Sequence, residues 1–176
     1  MDAHLLYKHQ NPRVQPTAPV INIGNLPRIS RDSLFAKLIG KPGDESLAII
    51  DVRDSDFIGG HIRGCQNVPA PSLDYRMPEL LRTLREKKIV VFHCALSQQR
   101  GPTAALRYMR ERERLGLDKK TEPKDEGNEE GENKESEVPQ KVFVLEGGFQ
   151  RWQEKYGEDE RVTEGYDKGI WEFGQY

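Results

Sequence analysis

Lys88-Ile-Val-Val-Phe-His-Cys-Ala-Leu-Ser-Gln-Gln-Arg-Gly-Pro-Thr103 decides how the rest of the chain is read. The apolar run at 89–92 is long enough for a buried strand and too short for a core helix. It delivers His93 and Cys94 into a loop. Gly101 and Pro102 then open an amphipathic helix, because the N–H that proline lacks is an orphan anyway in a first helical turn. A loop that closes onto a helix N-terminus gathers unpaired amides at the positive end of a dipole, and such a place favours an anion. Five residues separate Cys94 from Arg100, and none is proline. Six amides, those of Ala95, Leu96, Ser97, Gln98, Gln99 and Arg100, are therefore free to curl around one tetrahedral oxyanion. The same field favours thiolate over thiol on Cys94. Arg100 can grip two oxygens of the anion with its planar fork. A lone cysteine is more often a small, inert, buried apolar residue; the whole strand–loop–helix pattern argues for chemistry instead.

Composition sets the limits. With 176 residues the chain suits one domain with a real core. Nine acidic residues and four lysines lie between Asp118 and Glu137, so the remainder carries a small positive excess, too weak for a nucleic-acid footprint. Two cysteines, Cys65 and Cys94, make no disulfide framework, and His61 with Cys65 lacks further ligands for a metal, so none is expected. The start of the chain lacks the apolar core of a signal peptide, and no run is long enough to span a membrane. The expected setting is a reducing one, cytoplasmic or nuclear.

Residues 1–24 read as an N-terminal arm, with a short strand at 20–23. Residues 25–156 read as the catalytic domain, and 157–176 as a tail whose Val162, Tyr166, Ile170, Trp171 and Phe173 pack back onto it. Within the domain, an edge strand at 26–29 precedes a helix at 31–39 capped by Ser30. A buried strand follows at 47–52, then a short strand at 67–69, and Met77-Pro78 begins a helix to about Lys87. The post-loop helix, 102–115, turns Ala105, Leu106 and Met109 inward and the charges of 110–114 outward. Residues 117–139 are polar and acidic, and read as a disordered insertion before the strand at 141–145. Alternating strands and helices give an open, mainly parallel α/β sheet. Asp51, Arg53, Asp54 and Asp56 cluster at the C-terminal end of a strand, where they read as a structural ion-pair network or, less simply, as the source of a proton donor.

Three motifs in order carry a resemblance. Ile50-Asp-Val-Arg53 with Phe57-Ile-Gly-Gly-His-Ile-Arg-Gly64 and Asn67-Val-Pro69, then the Cys94 loop, then Leu145-Glu-Gly-Gly-Phe-Gln-Arg-Trp152, resemble the rhodanese fold over residues 25–156. That resemblance implies a five-stranded, mainly parallel sheet with helices on both faces. Sulfurtransferase rhodaneses usually place four residues between the cysteine and the basic residue. The five found here resemble the M-phase inducer phosphatases and the related eukaryotic arsenate reductases, in the manner of their small fungal and plant members. The mitotic phosphatases carry Glu where Ala95 and Gln99 stand and a back-door Cys where Val52 stands, and ordinary tyrosine phosphatases carry Ser or Thr where Gly101 stands. No loop carboxylate is therefore present, and Cys65 is a weak substitute for the back-door thiol.

The expected activity is hydrolysis of phosphomonoesters through a thiophosphate on Cys94, of the tyrosine or dual-specificity type, with Arg100 and the six amides stabilising the equatorial oxygens. His93 orients the loop. Asp51 and Glu146, both at strand C-terminal ends, are the candidate general acids. No cofactor is expected, and the partner is a phosphorylated protein or a small phosphate or arsenate, with neither nucleic acid nor membrane. The alternative is arsenate reduction at the same loop, with glutathione as reductant and glutaredoxin as partner. Sulfur transfer through a persulfide and a non-catalytic binding module are the remaining alternatives.

Overall fold

The computed structural model describes residues 21–118 and 139–173. Five of its strands, β1 (Arg28–Ile29), β2 (Leu47–Asp51), β4 (Gln66–Asn67), β5 (Ile89–His93) and β6 (Lys141–Leu145), form one sheet in the order β1-β6-β5-β2-β4. Every neighbouring pair is parallel. A parallel sheet must be covered on both faces. Helices α2 (Leu73–Thr83) and α3 (Arg100–Arg114) pack on one face, α1 (Arg31–Gly40) and α4 (Gly148–Tyr156) on the other. The pleat sorts the strand residues accordingly: Ile50, Val90, Phe92, Val142 and Val144 join the first core, Ile49, Val91 and Leu145 the second, with Leu34, Phe149 and Trp152.

The expected fold holds, with local differences that have physical causes. Of the strand expected at 20–23, the described residues 21–23 form none: residues 23–25 make a short 3-10 turn, because Asn22 caps it and Asn25 answers in a capping box. The second helix starts at Leu73, so Pro78 lies inside it instead of opening it. Its buried Leu73, Met77, Leu80 and Leu81 keep one apolar stripe running through the proline, which offsets a penalty of about 3 kcal/mol. Arg112 is buried, stacked over Tyr108 and bonded to Asp118, although its place in a charged run suggested a solvated face. The insertion expected at 117–139 falls mostly, and the arm at 1–24 largely, outside the described residues.

An unexpected antiparallel ribbon joins β3 (His61–Ile62) to β7 (Thr163–Glu164). It carries the chain on to α5 (Lys168–Phe173), whose Trp171 donates to the Gly59 carbonyl and packs against Phe149. Residues 162–171 thereby brace the 53–60 loop from outside. Gly60, at φ 107°, is required there: a Cβ would come within 2.9 Å of the Tyr166 backbone.

Candidate active site

β5 is the central strand, and its C-terminal end points where open α/β sheets place their sites. His93 is its last residue, and Cys94 is 4% exposed at the base of the loop that follows. The Ser97 amide donates to the Cys94 Sγ at 3.2 Å. Ser97 is the one described non-glycine residue with positive φ (54°), and that reversal turns the loop back over the sulfur. Among the described residues, the amides of Ala95, Leu96, Gln98, Gln99 and Arg100 have no acceptor. Donors left in this state beside a sulfur are what an oxyanion requires.

The loop is held from behind by α4. The Phe149 amide donates to the Cys94 carbonyl (3.0 Å) and the Gln150 amide to the Ala95 carbonyl (2.9 Å), so the loop's first two carbonyls are fixed away from the bowl. This approach requires Gly148: at φ 60° it would place a Cβ 2.5 Å from the Cys94 carbonyl oxygen and closer still to that of Ala95. Gly101 has a similar reason. A Cβ there would lie 3.2 Å from the His93 Cα, so the first turn of α3 can sit directly against the end of β5.

Below the loop lies a buried polar group. Arg53, fully enclosed, forks onto Asp51 (Nε–Oδ2 2.9 Å, Nη2–Oδ2 2.7 Å), donates to the Gly60 carbonyl, and lies between the rings of Phe57 and Phe149. His93 is equally enclosed, with Nδ1 3.3 Å from the Cys94 carbonyl and Nε2 3.6 Å from Asp51. Burial pushes its pKa below the ordinary imidazole value against the opposite pull of Asp51, which keeps the ring neutral. Asp51 therefore lies beneath the bowl, bound to Arg53 and closed to solvent, where it cannot deliver a proton to a leaving group. Glu146 is exposed, at the end of β6.

Arg100 opens α3, with both terminal nitrogens on carboxylates. Nη1 donates to Asp56 Oδ1 (2.7 Å) and Asp54 Oδ1 (3.2 Å), and Nη2 to Asp56 Oδ2 (2.5 Å). These bonds raise the Arg100 pKa further, with a smaller contribution from the Cys94 sulfur, and hold Asp56 at about 2. Three of the five guanidinium hydrogens are thus engaged, and the two that remain, on Nε and Nη2, share one edge of the plane. An end-on carboxylate and a side-on oxyanion can occupy one guanidinium together. The acidic cluster at 51–56 is accordingly two separate networks, one buried on Arg53 and one at the surface on Arg100.

On its other side the loop borders a cavity of about 840 Å3, to which Leu96, Ser97, Gln98, Arg28 and Glu146 contribute. Sequence reasoning identified the loop but missed Arg28, Gly148 and the special backbone of Ser97. The Leu145-Glu-Gly-Gly-Phe149 motif was the available signal for Gly148; Arg28, in a two-residue edge strand, left none. Among the described residues no cluster of His, Cys, Asp or Glu could hold a metal, and no helix is long and apolar enough to cross a membrane.

Comparison with known proteins agrees with this fold. The rhodanese-like domain family matches residues 33–155. The chain is 35% identical to the CDC25-like phosphatase YCH1 of Saccharomyces cerevisiae, over 72% of its own length and 79% of that protein. It is 32% identical to the dual specificity phosphatase ibp1 of Schizosaccharomyces pombe, over 82% of its length and all of that protein. It is 34% identical to arsenate reductase 2.2 of Oryza sativa subsp. japonica, over 67% of its length and 78% of that protein. Among solved structures, a yeast protein tyrosine phosphatase of the rhodanese family superposes with a TM-score of 0.61 at 31% identity, covering 84% of this chain and 97% of the other. The family model spans most of the chain, and the solved relative superposes on this parallel five-stranded fold, so the chain belongs to the rhodanese-like family.

Proposed function

We propose that the protein is a cysteine-dependent phosphatase acting on phosphomonoesters of the tyrosine or dual-specificity type. The observation that carries this is the Cys94 sulfur held by the Ser97 amide at 3.2 Å while the five other loop amides have no acceptor among the described residues. The Cys94 thiolate attacks phosphorus, and the ester P–O bond breaks as the S–P bond forms. The open amides and the free edge of Arg100 bind the equatorial oxygens as charge builds on them. Water then cleaves the S–P bond, releasing phosphate and the thiolate.

The leaving oxygen needs a proton. Asp51 is buried below the bowl, and Asp56 is ionised by its bond to Arg100, so neither supplies it in this arrangement. Glu146, exposed at the end of β6 on the wall of the cavity beside the loop, is the remaining candidate for the role. His93, neutral and bonded beside the Cys94 carbonyl, positions the loop. No cofactor is required.

The similarity to an arsenate reductase supports a second activity of the same bowl. Arsenate has the shape and charge of phosphate. The Cys94 thiol displaces water from arsenate to form an S–As(V) bond. Glutathione then attacks the Cys94 sulfur, and the S–As bond breaks with its electron pair on arsenic to release arsenite, As(III). The Cys94–glutathione disulfide left behind is reduced by glutaredoxin, which renews the thiol.

One preparation tests both. Hydrolysis of para-nitrophenyl phosphate abolished by Cys94→Ser supports the phosphatase; turnover that survives this change overturns it. Glutathione-dependent loss of arsenate, measured alongside, decides the second activity.

A further inference from the structure

Apart from Glu146 on its wall, the cavity beside the Cys94 loop takes no part in the steps above, yet it is built for negative charge. Leu96, Ser97 and Gln98 line it from the loop, and Arg28, Arg31 and Arg151 from elsewhere. Two helices begin there: Ser30 caps the ten-residue α1, and Gly147 precedes the nine-residue α4. The positive ends of two dipoles therefore meet at one recess. The charges around it are unequally matched. Arg31 and Arg151 share Glu154, at 3.2 and 3.6 Å, and Asp32 is held by Lys155 and Tyr156. Arg28 has no carboxylate partner among the described residues, and touches the Ser97 carbonyl at 3.5 Å.

A second, independent feature lies in the same wall. Ser97 is 1% exposed, and its hydroxyl has no hydrogen-bond partner among the described residues. A buried hydroxyl left without a partner is costly unless something arrives to use it. The same residue donates its amide to the Cys94 sulfur, so the wall of the recess and the base of the bowl are one residue. Glu146 also lines the recess, without a basic partner among the described residues. Its carboxyl oxygens can accept hydrogen bonds from the amides of a peptide. Leu96, 45% exposed on the same wall, offers apolar contact to such a chain.

We infer that this recess binds an acidic side chain of a phosphopeptide whose phosphorylated residue occupies the Cys94 bowl. The inference rests on the phosphatase assignment above and names the class of substrate: phosphopeptides with a carboxylate close to the phosphorylated residue.

The test uses the full chain and two phosphotyrosine peptides that differ only in glutamate or glutamine beside the phosphotyrosine, placed on either side in turn. The wild-type protein prefers the glutamate peptide in kcat/KM by about fivefold, the upper range for a partly exposed charge pair. The preference shrinks as salt rises. Arg28→Ala brings the ratio close to one, and Arg28→Lys keeps most of it. Anisotropy of the same labelled peptides on Cys94→Ser reads binding without turnover. Equal kcat/KM and equal binding for the two peptides, or a preference unchanged in both Arg28→Ala and Arg151→Ala, overturns the inference. Charge-selective binding by Cys94→Ser, in a protein that hydrolyses no aryl phosphate, leaves the recess standing and removes the phosphatase assignment alone.

Discussion

The two flanks of the Cys94 loop differ in how their charges are settled. On the β2 side every guanidinium has a carboxylate: Arg53 is enclosed with Asp51, and Arg100 is held by Asp54 and Asp56. On the β1–β6 side Arg28 has none among the described residues, two helix N-termini converge, and a cavity stands open. One flank is arranged before any substrate arrives, and the other is left for the substrate to complete. The difference follows from sheet position. β2 lies inside the sheet, where an unmatched charge would be expensive, whereas β1 is a two-residue edge strand at the surface.

Four experiments break or sharpen this contrast. The largest effect is expected from Arg53→Met, which strands the Asp51 carboxylate in a dry site and costs about 3–5 kcal/mol, read by urea denaturation. Next comes Gly148→Ala. Its Cβ meets the carbonyls that fix the loop from behind, and strain plus displacement should cost about 2–4 kcal/mol, with loss of activity even where the variant folds.

Asp56→Asn is milder and acts on function. Without a carboxylate on the guanidinium the bowl becomes more positive, so inorganic phosphate should inhibit about threefold more tightly, while kcat falls because Arg100 is less firmly oriented. Its stability counterpart has a definite sign. The Asp56 pKa is depressed in the fold, so its contribution is present above about pH 4 and is lost as pH falls toward 2. Over that interval the wild-type protein should lose stability more steeply than Asp56→Asn, measured by denaturation at each pH. The smallest effect concerns the second thiol. Burial pushes Cys65 up to about 12, so iodoacetamide near neutral pH should modify Cys94 and spare Cys65, as peptide mass mapping would read.

Much of this was legible in the sequence because the decisive features are local. The apolar run before His93, the five-residue spacing to Arg100 and the glycine motifs set the sheet, the bowl and the family without reference to distant contacts. Ser30 signalled the start of α1 through a capping rule that needs three residues of context. Long-range settlements were less visible. Asp51 and Asp56 sit five residues apart in one acidic stretch, yet one faces the interior and the other the surface, a distinction made by the bend after β2 and by the arrival of Phe149 from another helix. From sequence alone Asp51 is therefore a candidate acid, and its enclosure with Arg53 removes it. Pro78 misplaced the start of α2 because burial of four apolar side chains outweighs a local preference. The tail ribbon was invisible for a similar reason, since two-residue strands carry no periodicity.

The ends of α3 and β6 suggest a division of labour between the poles of the sheet. α3 starts at the bowl and runs for 15 residues, about 22 Å, to the far side, where Arg112 pins Asp118. Gln140, on the re-entering chain, is tied by Tyr108 and by the Leu84 and Lys87 carbonyls just before β6 begins. The two anchors that flank residues 119–138 both lie at the pole remote from the thiol. Replacing residues 119–137 by a reporter or an affinity handle should therefore leave aryl phosphate hydrolysis unchanged, as an assay of the exchanged protein would read.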